Sequence, residues 1–484
     1  MRRISFQGST TRCLILGTAA TAALWLSGCA SLKPHPFSAE EQKQIAASDR
    51  AAAQQQVAPL TTDLTLNEAI SRALQYNLDH RTRMMEEALA AGQLDLSRYD
   101  LLPKLMAEAG YGWRNNERIT RSQDSVTGLP SLANPYISSD RNHDTAGIGF
   151  QWNVLDFGVS YYTAKQNADR VLIASERRRK AMHNLIADVR TAYWRAASAQ
   201  QIEHDLEETL KLGAEALADS RAVETQNLRD PSESLRYQRT VLENLRILES
   251  IRRELAAARI ELAALINLPP GTQFKIAAPT AADLMPPHRD MAVDRMEETA
   301  IANNAELREQ FYNVRIAVAE TRKSLLKLFP GLSLDYGYKY DSDNYLINNQ
   351  WREASAQIGS NLFGLITAPK VRKLSKANEQ LAEQKRMAMQ MAVLAQVHLS
   401  RQQYDSAYQL LQRADEIWKV DQRIYEHSAN REAAATRGRL DLISNNTSAI
   451  VSLLRRYQAL SDVYAAEGKI EATLGVDPGT GAGQ

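Results

Sequence analysis

The sequence predicts a mainly α-helical protein with a small β part, in which a unit of long helical hairpins and two strands occurs twice. Three observations carry this. Apolar residues recur at helical spacing over runs far longer than an ordinary helix, and four short segments between them alternate apolar with polar residues. About forty residues of the first half also lie over the second at a constant offset of 227, which falls to 208 for the partner strands because the first hairpin loop is 19 residues longer.

The offset is read from identities. Ala73, Asn77, Arg81, Ala90, Ser97, Leu101, Pro103, Leu105, Gly110 and Tyr111 meet Ala300, Asn304, Arg308, Ala317, Ser324, Leu328, Pro330, Leu332, Gly337 and Tyr338 without a gap. Each half should therefore build the same elements in the same order. A first repeat over 63–268 and a second over 291–478 are expected, joined by a proline-rich linker at 269–290 and followed by a tail at 479–484.

In the first repeat, Ala69, Ile70, Ala73, Leu74, Asn77 and Leu78 set a helix over 66–101 that stops at Pro103. A second helix runs from about Val159 to Asn227 with no proline, its apolar face at Leu185, Val189, Ala192, Tyr193 and Ala196. At about 1.5 Å per residue it is roughly 100 Å long. The chain turns at Leu228-Arg229-Asp230-Pro231, with Asp230 or Ser232 as cap, and returns along a heptad seam of Leu248, Ile251, Leu255, Ala258, Leu262 and Leu265. This returning helix covers only half of the long one. Stacked end to end with the helix at 66–101, it covers the whole. The second repeat gives helices at about 293–328, 368–436 and 440–474.

The strands are expected at about 103–114, 144–155, 331–341 and 353–363. On the first, Leu105, Ala107, Ala109, Tyr111 and Trp113 share one face, and Lys104, Glu108, Gly110, Gly112 and Arg114 the other. On the third, Leu332, Leu334, Tyr336, Tyr338 and Tyr340 oppose Ser333, Asp335, Gly337, Lys339 and Asp341. The second sets Ala146, Ile148, Phe150, Trp152 and Val154 against Thr145, Gly147, Gly149, Gln151 and Asn153. On the fourth, Ala354, Ala356, Ile358, Ser360 and Leu362 are set against Ser355, Gln357, Gly359 and Asn361. About ten residues is the length a tilted strand needs to cross a bilayer, with one face toward lipid and one toward water. Four strands cannot close a barrel, so copies must combine, two giving eight strands and three giving twelve. On this reading Glu108, Asp335 and Lys339 line a lumen and bias the passage of ions and solutes. The rival reading puts the same segments in a soluble sheet against a core.

The N-terminus reads as an export signal. Arg2, Arg3 and Arg12 precede an apolar run from Cys13 to Leu26, too short to span a bilayer, and Leu26-Ser27-Gly28-Cys29 looks like a lipobox. Cleavage after residue 28 would leave Cys29 acylated, with palmitate among its acyl chains, at the head of a tether over 29–62. No aspartate follows it at Ala30 or Ser31, which makes the outer membrane the expected address. With Cys13 removed, Cys29 has no cysteine to pair with.

The 58 Lys and Arg residues against 57 Asp and Glu leave a formal charge of +1, so nothing marks a nucleic-acid binder. The 8 histidines are scattered, without ligand spacing, and are expected at the surface. No phosphate loop, dinucleotide fingerprint or nucleophile elbow occurs, so no enzyme activity, cofactor or metal is expected.

Taken in order, Leu64-Thr-Leu-Asn-Glu-Ala69, Ala73-Leu74 and Asn77, Leu102-Pro103 and Phe329-Pro330, Trp152-Asn-Val-Leu-Asp-Phe-Gly158, Gly438 with Leu440-Asp441-Leu442, and Leu474-Gly475 carry a family resemblance. Over about residues 60–478 the chain resembles the TolC-like outer-membrane efflux factors, in their lipoprotein branch. That resemblance implies a homotrimer with a twelve-stranded barrel in the outer membrane and an α-helical barrel, or tunnel, in the periplasm. It also implies a passive duct whose helical tips dock on a periplasmic adaptor (membrane fusion) protein fed by an inner-membrane transporter. Arg229, Asp230, Gly438, Arg439, Leu440 and Asp441 are the expected tip residues. The first tip, Asn227 to Pro231, lacks the glycine of the second, so the two tips should not be equivalent. A duct for secreted protein or polysaccharide, or a lipoprotein bridging the envelope without a pore, are the alternatives.

Overall fold

A computed structural model describes residues 36–130, 135–225, 231–269, 271–288, 290, 292–433 and 439–476. The chain divides into two units, one ending at Gln56 and one beginning at Val57. In the first, helix α1 (Ala39–Gln54) opens on a capping box: the Glu41 N–H donates to Ser38 Oγ at 3.2 Å, and the Ser38 N–H donates to Glu41 Oε2 at 2.8 Å. It has no buried residue, as its polar and alanine-rich sequence dictates.

The second unit contains both repeats. The first gives α2 (Leu66–Tyr76), α3 (Leu78–Tyr99), β1 (Lys104–Trp113), a small outer hairpin of β2 (Ile119–Thr120) and β3 (Tyr136–Ile137), then β4 (Asn142–Asn153), α4 (Val154–Thr225) and α5 (Pro231–Leu265). After a one-turn helix α6 (Ala281–Leu284), the second gives α7 (Val293–Asn303), α8 (Ala305–Leu326), β5 (Gly331–Asp341), β6 (Gln350–Gly359), α9 (Leu362–Ala433) and α10 (Arg439–Leu474). Helices α4 and α9 each have 72 residues, about 108 Å at 1.5 Å per residue.

The expected helix over 66–101 is broken at Asn77, and the break has a physical cause. Asn77 leaves the helical region with ψ 126, and its Oδ1 accepts the N–H of His80 at 3.0 Å, capping α3. Its Nδ2 donates across the chain to the Leu265 carbonyl, 3.1 Å away at the end of α5. Asn304, its counterpart at the offset of 227, does the same: Oδ1 accepts from Leu307 N at 3.0 Å and Nδ2 donates to Thr473 O at 2.9 Å. One residue thus caps the strand-side helix and satisfies an orphan carbonyl of the returning helix. These clasps are how two short helices stack end to end beside a long one. Each returning helix closes with a left-handed residue, Asn267 (φ 56) after α5 and Gly475 (φ 67) after α10. The N–H groups that follow reach back to Ala263 at 2.8 Å and Glu471 at 3.1 Å.

The linker between repeats is fixed rather than loose. Leu64 N donates to Lys275 O at 2.8 Å and Ala277 N to Leu64 O at 2.9 Å, while the Gln200 amide of α4 brackets Ile276 with two bonds of 2.8 Å. Here lies the main core. Leu185, Val189, Ala192, Tyr193 and Ala196 of α4 are all buried, with Leu262 and Ile266 on one side and Leu460 and Val463 on the other. The Trp194 ring stacks on Tyr464 at 5.3 Å. Farther along α4, Ile202 and Leu206 meet Leu248, Ile251 and Leu255 of α5 and Ile450 of α10.

Laterally the elements form a ribbon. On the strand side the helices neighbour one another in the order α3–α4–α8–α9; on the other side of the clasps the order is α5–α4–α10–α9. The sheet repeats that order as β1–β4–β5–β6, all antiparallel, each strand running on from or into its own helix. The seam between repeats, α4 against α8, is polar. Glu176 binds Arg179 at 2.7 Å and Arg308 at 2.8 Å, Asp169 meets Arg315, and Gln166 donates to Glu320 at 2.9 Å. Burial pushes the Asp169 and Glu176 carboxyls upward from their ordinary values, and the arginines oppose it.

Three further expectations change. The second strand occupies 142–153 rather than 144–155, and β6 occupies 350–359 rather than 353–363, so Leu362 starts α9 instead of ending a strand. His183 is buried rather than at the surface, because α4 turns it toward the junction where α7, α8 and α10 meet.

Candidate channel wall and outer mouth

Register puts every strand residue on one of two faces. The rows Leu105–Phe150–Tyr336–Ala354 and Ala107–Ile148–Tyr338–Arg352 belong to one face; Glu108–Gly147–Lys339–Trp351 and Lys104–Gln151–Asp335–Ser355 belong to the other. The first face carries the apolar side chains and is exposed: Ile148 is 51%, Phe150 54% and Tyr336 53% accessible. No layer of the described residues covers it. The rival arrangement, strands dry against a core, is therefore not the one observed.

The polar face is concave. Gly149 faces Gly337, and a Cβ on Gly149 would lie 3.0 Å from the Gly337 Cα and from the Tyr336 carbonyl. A side chain there would push the neighbouring backbone away by a few tenths of an ångström, and the bare glycines open a trough of about 360 Å³. Glu108 crosses the bare backbone of Gly147 toward Lys339, whose Nζ stands 4.0 Å from Glu108 Oε1 and 3.5 Å from Glu353 Oε2. Ser355 Oγ donates to Asp335 Oδ2 at 3.4 Å. The structure thus brings Glu108 and Lys339 together, adds Glu353 to them, and sets Asp335 four residues from Lys339, roughly 13 Å along β5, in the same trough. Glu353 escaped the sequence reading because the strand was expected only from that residue onward, where alternation becomes regular. Glu108 and Glu353 face water, so their pairs with Lys339 are worth little to stability. Their effect is on the field inside the trough.

At the outer ends of β4 and β5 a second polar cluster ties the strand ends to the adjoining loops. His143 Nδ1 lies 2.8 Å from Asp341 Oδ1, the Asp140 N–H donates to Asp343 Oδ1 at 3.1 Å, and Asn344 donates twice to Asp140 Oδ2 at 2.8 Å. Burial raises the Asp343 carboxyl, but the N–H groups of Tyr345 and Asp140, the Ser139 hydroxyl and nearby His143 outweigh it and hold it low. No sequence signal announces this latch, since its partners are some two hundred residues apart.

Of the expected tip residues, Arg229, Asp230 and Gly438 lie outside the described residues, as does Cys29. Arg439 is the first residue of α10, Leu440 is half-buried, and Asp441 is exposed in the first turn. No described helix is long and apolar enough to cross a membrane, and among the described residues no group of three or more His, Cys, Asp or Glu is placed to hold a metal.

The chain is thus a ribbon with an exposed apolar sheet face, a polar concave face and long paired helices. Residues 69–268, the first repeat, match the family model described as outer membrane efflux protein. The match covers less than half of the chain, and the second repeat is built to the same plan as the matched one. Solved structures agree in fold. The outer-membrane channel OprN is 17% identical with a TM-score of 0.63, covering 85% of this chain and 89% of its own. The CmeC outer membrane channel of Campylobacter jejuni is 13% identical with a TM-score of 0.65, at 85% coverage of each. The open-state MtrE channel of Neisseria gonorrhoeae is 17% identical with a TM-score of 0.61, covering 83% and 88%. No curated protein sequence matches the chain.

Proposed function

We propose that three copies of this chain form a passive efflux duct across the outer membrane and periplasm, anchored through an acylated Cys29. One observation carries the reading: the ribbon has two open edges. Strands β1 and β6 each have a neighbour on one side only, and an unpaired strand edge cannot persist in lipid. The helices beside those strands carry apolar residues that nothing covers. On α3, Leu78, Met85, Leu89 and Leu96 are exposed at steps of seven and four, and the strand-side half of α9 exposes Leu374, Leu381 and Met391 at steps of seven and ten. The β6–α9 edge of one copy fits the β1–α3 edge of the next, a head-to-tail contact that closes into a ring. Three copies give twelve strands, a barrel whose interior stays open; eight strands would be filled by side chains.

Energy for transport is supplied elsewhere, through an inner-membrane transporter and an adaptor meeting the tips around Arg229, Asp230, Gly438, Arg439, Leu440 and Asp441. The trough of Glu108, Asp335 and Lys339 biases what passes. Native mass spectrometry of the detergent-extracted complex checks the assembly, and denaturing mass of the same sample checks the anchor. Three chains per complex are expected, each starting at Cys29 with added acyl mass. A stable monomer or dimer contradicts the ring, and an unmodified Cys29 contradicts the anchor.

A further inference from the structure

The outward face of the sheet holds one basic residue that the alternation does not account for. Arg352 pairs with Tyr338 in the β5–β6 register, which places it among Tyr336, Tyr338, Tyr340 and Ile148 on the apolar side. Its side chain is exposed, and no carboxylate reaches it among the described residues. The one acidic residue of that face, Asp144, sits two strands over and four register steps farther out, roughly 16 Å away by strand spacing and rise. The residues that a neighbouring β1 would present outward are Leu105, Ala107, Ala109, Tyr111 and Trp113, none of them acidic.

The height of Arg352 in the membrane follows from the stagger of the strands. In register, β6 begins opposite Tyr340, which faces Ala146 and through it Ala109, while β1 continues four residues farther out to Trp113. Such stagger is the shear of a tilted barrel. Ile148, in the same register row as Arg352, is mid-strand on β4, whereas Arg352 is the third residue of β6 from its outer end. At about 3.3 Å per residue it lies about 7 Å below the strand's outer limit, where an arginine reaches the headgroups by extending its stem. Beside it, Tyr338 Oη donates to Gln350 Oε1 at 2.5 Å, and the Tyr336 and Tyr340 rings flank the position on the same face.

We propose that Arg352 and this tyrosine file bind the phosphate of an anionic lipid in the outer leaflet, one site per chain. The inference rests on the outward face being lipid-facing. A planar guanidinium offers paired donors to a phosphate, and the phenol rings give the acyl chain and glycerol a surface with donors at its rim. Nothing else on the face supplies the negative charge that this cation lacks.

The test reconstitutes full-length protein into vesicles of phosphatidylcholine and phosphatidylglycerol, extracts it in mild detergent and counts both lipids per chain. Wild type should keep phosphatidylglycerol over phosphatidylcholine, Arg352→Gln should lower that preference by about fivefold, the worth of one interfacial cation, and Arg352→Lys should keep most of it. Millimolar inorganic phosphate should release none. Equal preference in wild type and Arg352→Gln overturns the site, as does release by inorganic phosphate. So does loss of the oligomer in Arg352→Gln with lipid retention unchanged, which would assign the residue to a neighbouring copy. If wild type fails to enter vesicles, the lipid-facing reading itself falls; if all variants enter and conduct but hold lipid alike, only the Arg352 site does.

Discussion

Ile148→Arg should destabilise the assembled protein in a bilayer by about 2–4 kcal/mol per chain, the cost of a cation at the midplane of a membrane strand. The side chain is 51% exposed in the protomer, so a sheet standing in water would accept arginine there at little cost. Ile148 is nevertheless the middle of β4, an inner strand of the four, with Ala107 and Tyr338 on its flanks. Ser355→Arg is the matched control. Ser355 faces the trough beside Asp335, and the added cation should change stability by less than about 0.5 kcal/mol while altering conductance. Urea unfolding from liposomes reads both. Equal tolerance of the two substitutions would remove the lipid from the outward face.

Gly475→Ala should cost about 3 kcal/mol or more, combining left-handed backbone with a direct clash. At φ 67 a Cβ would lie 2.1 Å from the Asn303 carbonyl oxygen and 3.0 Å from Asn304 N, inside the clasp that joins α10 to α8. Backbone atoms cannot rotate aside, so the junction must shift. The first repeat offers the comparison. Asn267 holds the equivalent left-handed position with a side chain already in place, and Asn267→Gly should change stability by less than about 0.5 kcal/mol. Thermal melting of the two variants in detergent should separate them clearly; similar melting temperatures would mean that the junction is loose.

The repeat is the part of this fold most open to sequence reasoning. An offset read from ten identities aligns Asn77 with Asn304, and those residues make the same pair of bonds in both halves. What the offset could not reveal is why asparagine is needed. The carbonyl each Nδ2 meets is 188 or 169 residues away in the chain, so a break that reads locally as helix continuing is made by tertiary structure. Strand sidedness was legible because successive side chains point to opposite faces, so one apolar face and one polar face leave a period of two in the sequence. It failed at the start of β6. Trp351 faces the trough and Arg352 faces outward, reversing the pattern, and the strand seemed to begin after them. Backbone pairing with Lys339 and Tyr338 continues regardless of side-chain polarity.

The wall of the trough was half legible. Glu108, Asp335 and Lys339 are visible as charges on a polar face, but the meeting of Glu108 with Lys339 depends on the bare backbone of Gly147 between them. Glycines in a strand announce a close approach without saying to what. The loop latch of His143, Asp341, Asp140 and Asp343 gives even less, because loop polarity is ordinary and its partners come from different repeats.

Single-channel recording from the purified complex in a planar bilayer bears most directly on the duct. Stepwise conductance is expected, with an ion preference that moves toward anions when Glu108→Gln and Glu353→Gln remove two carboxylates from the trough in each chain. Inserted protein that gives no current above the bare bilayer, or currents indifferent to both substitutions, would contradict a lumen lined by this face of the sheet.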